Sequence, residues 1–230
     1  MTPYQRADAF AAAFPKYVGA GAGFVRGRSG NGSETIFATW FGGQDYRAKG
    51  GTDPATGNPY YGQFPAGLLE RIFSMFPDVK DVLHLFSGVL TTERVDAAWK
   101  KVNLVGQAPR QVRFDARAET QPDIVGKAED LCTEMARADR SSRRGMFDLI
   151  LADPPYSEED AQHYGRSLVN RKRVVQECTK VLRPGGTLAW VDQAWPWVIG
   201  AYGLRLYGAI SWFRSMNHRI RGIMLFEKVD

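Results

Sequence analysis

Asp153-Pro154-Pro155-Tyr156 follows directly on an apolar run, Phe147-Asp148-Leu149-Ile150-Leu151-Ala152. A carboxylate, two tertiary amides and a phenol are thus gathered within four residues. Proline has a fixed φ and no backbone N–H, so the pair stiffens the loop and removes donors that would compete for the acceptors beside them. Such a loop suits two tasks: accepting hydrogen bonds from an N–H donor, and offering an aromatic face to a flat ring. Two more places set chemistry-bearing residues at the end of an apolar stretch. Ser87-Gly88 makes a tight turn after residues 79–86, and Asp115 closes residues 112–114.

These three positions act together only if a scaffold brings strand ends to one place. From Phe64 onward the pattern supplies one. Pro65 suits a helix start, Leu68, Leu69, Ile72, Phe73 and Phe76 recur at helical spacing, and Pro77 ends the run. A strand over 79–86 follows, then a helix over 92–101 with Val95, Ala98, Trp99 and Val102 on one side, and short strands at 112–114 and 123–126. Residues 129–138 read as helix and 147–152 as a buried strand. Residues 167–182 carry Leu168, Val174, Val175, Cys178, Val181 and Leu182 on one helical face until Arg183-Pro184-Gly185-Gly186 stops them. Strands at 187–191, 205–213 and 220–228 complete the series.

Strands alternating with helices imply right-handed crossovers and a parallel sheet covered on both faces. The last two strands lie too close for a crossover and must pair antiparallel. The expected fold is α/β: a doubly wound, mostly parallel, seven-stranded Rossmann-like sheet with an antiparallel C-terminal hairpin strand, spanning residues 61–230. Residues 1–60 read as a loop-rich N-terminal extension of unclear role, with a short helix at 7–14, a strand at 35–40 and turns across 42–59. In such sheets ligands bind beyond the carboxyl ends of the strands.

The net charge of +5 and isoelectric point of 9.2 favour an acidic partner. Cys132 and Cys178 have no paired spacing, which argues against a disulfide framework and a zinc site, and the three histidines are scattered, so no metal is expected. The first residues lack the apolar core of a secretory signal. No apolar run reaches the ~20 residues of a membrane span. The longest candidate, 198–210, is broken by Arg205 and by Gly200, Gly203 and Gly208. A reduced, cytoplasmic protein is the expectation.

From about residue 60 onward the chain resembles the class I S-adenosylmethionine-dependent methyltransferases, and within them the Asp-Pro-Pro-Tyr amino-methyltransferases. These are mostly DNA adenine-N6 enzymes, with some RNA guanine-N2 enzymes. The resemblance implies a catalytic Asp153, Pro154, Pro155 and Tyr156. An exocyclic base amine is a poor nucleophile because its lone pair is delocalised into the ring. If the Asp153 carboxylate and the Pro154 carbonyl accept its two N–H hydrogens, the lone pair is left aimed at the methyl group. Tyr156 then offers a face on which an extruded base stacks.

The resemblance also places the cofactor. His84-Leu85-Phe86-Ser87-Gly88 is similar to the family's first cofactor motif, whose tight turn lets backbone amides approach the methionine part. The family usually has an acidic residue near His84 and a second glycine near Leu90. Asp115, with Ala116, stands where a carboxylate binds the ribose hydroxyls. Ala128 and Glu129 would lie beside the adenine, although Lys127 occupies a place that is usually an Asp. Phe64, in a segment similar to one preceding the first cofactor strand, either packs on the cofactor or belongs to the core. Asp153 completes the implied set.

Substrate contacts are expected from three segments at the same rim. The strand at 187–191 delivers Asp192, Gln193 and Trp195, the hairpin turn delivers Arg214, Asn217, His218 and Arg219, and the loop after Tyr156 delivers His163 and Tyr164. Cations there suit phosphates flanking a flipped nucleotide, and Trp195 or Trp197 suits base stacking. Arg140, Arg143, Arg144, Arg166, Arg171, Lys172 and Arg173 extend the positive potential. The expected activity is S-adenosylmethionine-dependent methylation of adenine N6 in DNA. The alternatives are an RNA guanine-N2 or other RNA methyltransferase, or a catalytically silent nucleic-acid-binding subunit of the same fold.

Overall fold

The computed structural model describes residues 1–42, 64, 67–102, 107–138, 146–163, 167–194, 196, 200–214 and 220–229. The chain opens with α1 (Pro3–Ala13), whose start is fixed by a reciprocal cap. The Thr2 hydroxyl accepts from the Gln5 N–H, and the Gln5 side chain accepts from the Thr2 N–H. A short α2 (Pro15–Tyr17) and a π-helical turn lead into the antiparallel pair β1 (Val25–Arg28) and β2 (Glu34–Gly42). Then come α3 (Leu68–Met75), β3 (Asp81–Leu85), α4 (Thr92–Val102), β4 (Arg110–Asp115), β5 (Ile124–Val125), α5 (Leu131–Ala138) and β6 (Phe147–Ala152). The chain continues with α6 (Glu158–His163), α7 (Arg171–Val181), β7 (Leu182–Asp192), β8 (Leu204–Arg214) and β9 (Ile220–Lys228).

Among the described residues the strands form one sheet in the order β1-β2-β8-β9-β7-β6-β3-β4-β5. β2 to β8 run parallel to one another, while β9 runs antiparallel between β7 and β8. After β5 the chain returns to place β6 on the other side of β3. That reversal makes the carboxyl ends of β3 and β6 the switch point of the sheet.

The sheet is α/β and mixed, as the pattern implies, but it has nine strands among the described residues where seven were expected. The two additions are β1 and β2. β2 pairs parallel with β8 from Ile36↔Gly208 to Gly42↔Arg214. Ile36 and Trp40 point inward and Phe37 and Phe41 outward, a period of two that marks a half-buried strand but does not identify its neighbour. Boundaries also move: α1 starts at Pro3 and not at residue 7. Asn170 caps α7 by accepting from the Arg173 N–H, so the helix begins at Arg171 and not at residue 167. Pro184-Gly185-Gly186 lies within β7, where Gly185 takes φ +73° and the register against β6 shifts. The turns expected over 42–59 and the helix start at Pro65 lie outside the described residues, apart from Gly42, which closes β2.

The central strands are apolar at nearly every position because both faces are covered. Val82, Leu149, Leu151, Ala189 and Val191 face the layer that includes Phe10 of α1, Ile72 and Phe73 of α3, and Val95 and Trp99 of α4. Their neighbours Leu83, Leu85, Ile150, Ala152, Leu188 and Trp190 face Leu131 and Met135 of α5 and Val174, Val175 and Cys178 of α7. The first 40 residues share the former layer. Phe10 stacks on Trp40 at 5.1 Å between centroids, and Trp40 meets Trp212 of β8 edge-on at 6.0 Å. Among the described residues no helix is long and apolar enough to cross a membrane.

Because Trp40 is fully buried between α1 and β8, Trp40→Ala is expected to cost about 3–5 kcal/mol. Urea unfolding of that variant should show a single transition at lower denaturant. A separate early transition that leaves the rest of the chain at wild-type stability would contradict the shared core.

Candidate active site

Three strand pairings assemble the site. Leu85 pairs with Ala152 and with Phe114, so Phe86, Asp153 and Asp115 follow one residue later on adjacent strands. Ala152 pairs with Trp190, which sets Asp192 beside the same loop. The glycine turn, Asp115, the Asp153-Pro154-Pro155-Tyr156 loop and Asp192 therefore share one rim.

The turn after β3 is tightly wound. Phe86 has φ +62° and Gly88 φ +53°, the left-handed region that a side chain disfavours. The Ser87 N–H donates to the Phe114 carbonyl (3.1 Å), the Leu90 N–H to the Ser87 carbonyl (3.0 Å) and the Gly88 N–H to Asp115 Oδ2 (2.8 Å). Asp115 is buried, and its Oδ1 accepts from the Arg117 N–H at 2.9 Å. The carboxylate thus fixes the turn, and its further lone pairs are those a ribose hydroxyl would use. Among the described residues the buried Ser87 hydroxyl has no hydrogen-bond partner, an orphaned donor at the place the resemblance assigns to a polar ligand. Phe86 packs against the α5–α7 layer, and Leu85 is wholly buried there.

His84 sits in the opposite layer. Its ring meets those of Phe64 and Phe73 edge-on at 6.2 and 6.4 Å, and Nε2 lies 2.6 Å from Gln111 Oε1. Burial pushes its pKa down to about 4, so the imidazole is neutral. Phe64 is buried beside it, and its carbonyl accepts from Arg94 Nη2 at 3.0 Å. Ala116 is half-buried, Ala128 is buried and Lys127 is exposed. Half-buried Glu129 is tied to the start of α7. Its Oε1 accepts from the Asn170 N–H (2.9 Å), and its carbonyl accepts from Arg173 Nε (3.0 Å).

In the proline loop, the Tyr156 hydroxyl donates to Asp153 Oδ1. Burial and the Asp153 carboxylate hold the phenol well above its ordinary range, opposed by Arg221. That guanidinium lies 4.6 Å over the Tyr156 ring, so one aromatic face is already occupied. Beneath the loop, Arg171 donates from Nε to Asp192 Oδ2 (2.6 Å) and from Nη2 to Asp192 Oδ1 (3.2 Å). The same Nη2 reaches the carbonyls of Tyr156 (3.1 Å) and Pro155 (3.5 Å).

Arg171, expected as one of several surface cations, is thus turned inward, and Arg173 is engaged with Glu129 and Glu177. Arg221 was not singled out by the sequence at all. Its signal is a cation two residues into a strand whose middle is otherwise apolar. Of the expected substrate contacts, Gln193 is exposed just past β7, Arg214 closes β8 and His163 closes α6. Tyr164, Trp195, Asn217, His218 and Arg219 lie outside the described residues, as do Arg140, Arg143, Arg144, Arg166 and Trp197.

No family model matches the chain, and comparison with curated proteins finds no similar sequence. Among solved structures the chain is similar to TrmN from Thermus thermophilus at 17% identity, over 65% of this chain and 44% of that one, with a TM-score of 0.40. It is similar to a SAM-dependent methyltransferase from Aquifex aeolicus at 13% identity, over 70% and 89% of the two chains, with a TM-score of 0.41. It is also similar to the antibiotic-resistance methyltransferase Kmr at 10% identity, over 66% and 87%, with a TM-score of 0.41. The chain spans less than half the length of TrmN. The fold stands on its strand order and register.

The buried, neutral His84 has a consequence for acid stability. Between its ordinary pKa of 6.5 and about 4, the unfolded chain binds a proton that the folded chain does not. Stability should therefore decline as pH falls through that window, by at most about 1.4 kcal/mol per pH unit. His84→Gln should flatten this part of a stability-against-pH curve measured by urea unfolding. An unchanged slope between pH 6.5 and 4 would contradict the placement.

Proposed function

We propose that the protein transfers a methyl group from S-adenosylmethionine to the exocyclic amine of a nucleobase, with adenine N6 in DNA as the acceptor. One observation carries the reading. The Asp153-Pro154-Pro155-Tyr156 loop leaves β6 at the sheet's switch point, in register with the glycine turn of β3. The buried Ser87 hydroxyl, without a hydrogen-bond partner among the described residues, and the Asp115 carboxylate at the end of β4 suit the polar parts of such a cofactor.

When bound, S-adenosylmethionine supplies an electrophilic methyl group. The chain's own residues prepare the acceptor. The Tyr156 hydroxyl fixes the rotation of the Asp153 carboxylate. Asp153 and the Pro154 carbonyl accept the two amine hydrogens, which localises the nitrogen lone pair. Once methylated the nitrogen sheds one proton, for which Asp153 is the adjacent acceptor. Arg221 covers one face of Tyr156, so an extruded base stacks on the other. The positive net charge favours a polyanionic substrate over a small molecule.

A second reading is a silent nucleic-acid-binding subunit of the same fold. It is favoured by the neutral His84 and by Lys127, which stand where the family usually carries carboxylates. Calorimetry with S-adenosylmethionine separates the two readings, since the subunit would bind none.

Asp153→Ala should lower methyl transfer at least about 100-fold, the cost of losing alignment at the reacting centre. Its affinity for S-adenosylmethionine should stay within about twofold of wild type. Labelled methyl incorporation into DNA and RNA substrates measures the first, and calorimetry the second. Full activity in Asp153→Ala would refute the role of the carboxylate, and label in RNA alone would refute DNA as the substrate.

A further inference from the structure

We infer that Arg171 and Asp192 form a clamp that positions the backbone of the 153–156 loop. The inference rests on that loop being the catalytic one. Pro154 and Pro155 contribute no backbone N–H, so much of the loop cannot be held by donors of its own. An outside donor must hold its carbonyls. Among the described residues, the donor that reaches the Pro155 and Tyr156 carbonyls is Arg171 Nη2.

Arg171 is also a cation in an unfavourable place. It is the first residue of α7, where the unsatisfied N–H groups of a helix repel positive charge. Its guanidinium is drawn instead beneath the loop, with the side chain 19% exposed, by a bidentate contact to Asp192. Asp192 is buried at the end of β7. It also accepts from Trp190 Nε1 (3.1 Å), the Gln193 N–H (2.7 Å) and the Ala194 N–H (3.2 Å). A carboxylate so fully engaged cannot rotate, and it transmits the position of β7 to the guanidinium. The planar fork of arginine meets the carboxylate and the loop carbonyls at once, and a lysine ammonium cannot. Arg171 touches the backbone of the loop and not the reacting atoms. It is a positioning residue, and Asp192 acts through it.

The test uses Arg171→Lys and Asp192→Asn in the full chain. Four quantities are compared with wild type: thermal unfolding, affinity for S-adenosylmethionine, methyl-transfer kinetics, and amide exchange at Asp160 and Ala161. These two N–H groups donate to the hydroxyl (3.1 Å) and carbonyl (2.9 Å) of Ser157, the residue that follows the loop, so they report on where the loop delivers the chain to α6. Arg171→Lys should unfold within about 4 °C of wild type and bind the cofactor within about twofold. It should exchange both amides at least about tenfold faster and lose about 10–100-fold in kcat with a smaller change in KM.

Unchanged exchange at Asp160 and Ala161 overturns the clamp, whatever the kinetics. Faster exchange with unchanged kcat overturns its role in positioning. If wild type itself transfers no methyl group while exchange in the variant still speeds up, the clamp stands and the proposed function fails. Should Arg171→Lys not fold, Asp192→Asn, which keeps the guanidinium and weakens its anchor, is read by the same criteria.

Discussion

The parallel pairing of β3 with β6, from Val82↔Leu149 to Leu85↔Ala152, sets the position of both chemistry-bearing turns at once. A slip of one residue would send every side chain of β6 to the opposite face. Leu149 and Leu151 belong to one core layer, and Ile150 and Ala152 to the other, so the slip would exchange the partners of four buried side chains. The core therefore fixes the register, and the register fixes the distance between the glycine turn and Asp153. The geometry of the turns at the rim is a consequence of packing in the interior.

Turns at the rim cannot be held by the sheet ladder, and here buried carboxylates hold them. Asp115 accepts from the Gly88 N–H and so closes the β3 turn from the neighbouring strand. Asp192 anchors Arg171, which holds the β6 loop from the other neighbour. Beyond its internal hydrogen bonds, each loop is tied to the strand next to it. Burying a carboxylate is costly unless its lone pairs are used. Both acids meet that condition with backbone N–H groups and with a guanidinium, Arg117 for Asp115 (3.9 Å) and Arg171 for Asp192 (2.6 Å). The amino ends of the strands are pinned separately. Arg183 bridges Asp148 of β6 (2.6 Å) and Asp81 of β3 (2.7 Å), on the side of the sheet away from the rim.

Most of the scaffold from residue 64 onward was legible in the sequence, because strands buried on both faces read as continuous apolar runs. Residues 147–152 followed by Asp153-Pro154-Pro155-Tyr156 marked both a strand and the place where it ends. The close spacing of β8 and β9 forced their antiparallel pairing, as found. Strand partners were not legible where period-two alternation says only that one face is buried. β2 has that alternation, yet its pairing with β8 depends on Trp40 meeting Trp212, 172 positions later in the numbering. At the site, the loop residues could be named from type and spacing. Arg171 could not, since a basic helix start looks like a solvated face. The clue available was its sign, a cation placed against the helix dipole. His84 was read through its resemblance to a cofactor motif, and its packing was not legible. Flanking Phe64 and Phe73 explain why a neutral imidazole fits there.

The central claim is that the β3 turn and the β6 loop face a single cofactor-sized site. A crystal structure of the full chain grown with S-adenosylhomocysteine tests this most directly. The account predicts the amino-acid end of that ligand over Ser87-Gly88, its ribose at Asp115 and its sulfur turned toward Asp153. A ligand bound elsewhere, or a sulfur facing away from Asp153 with the proline loop closed off from it, would contradict the account.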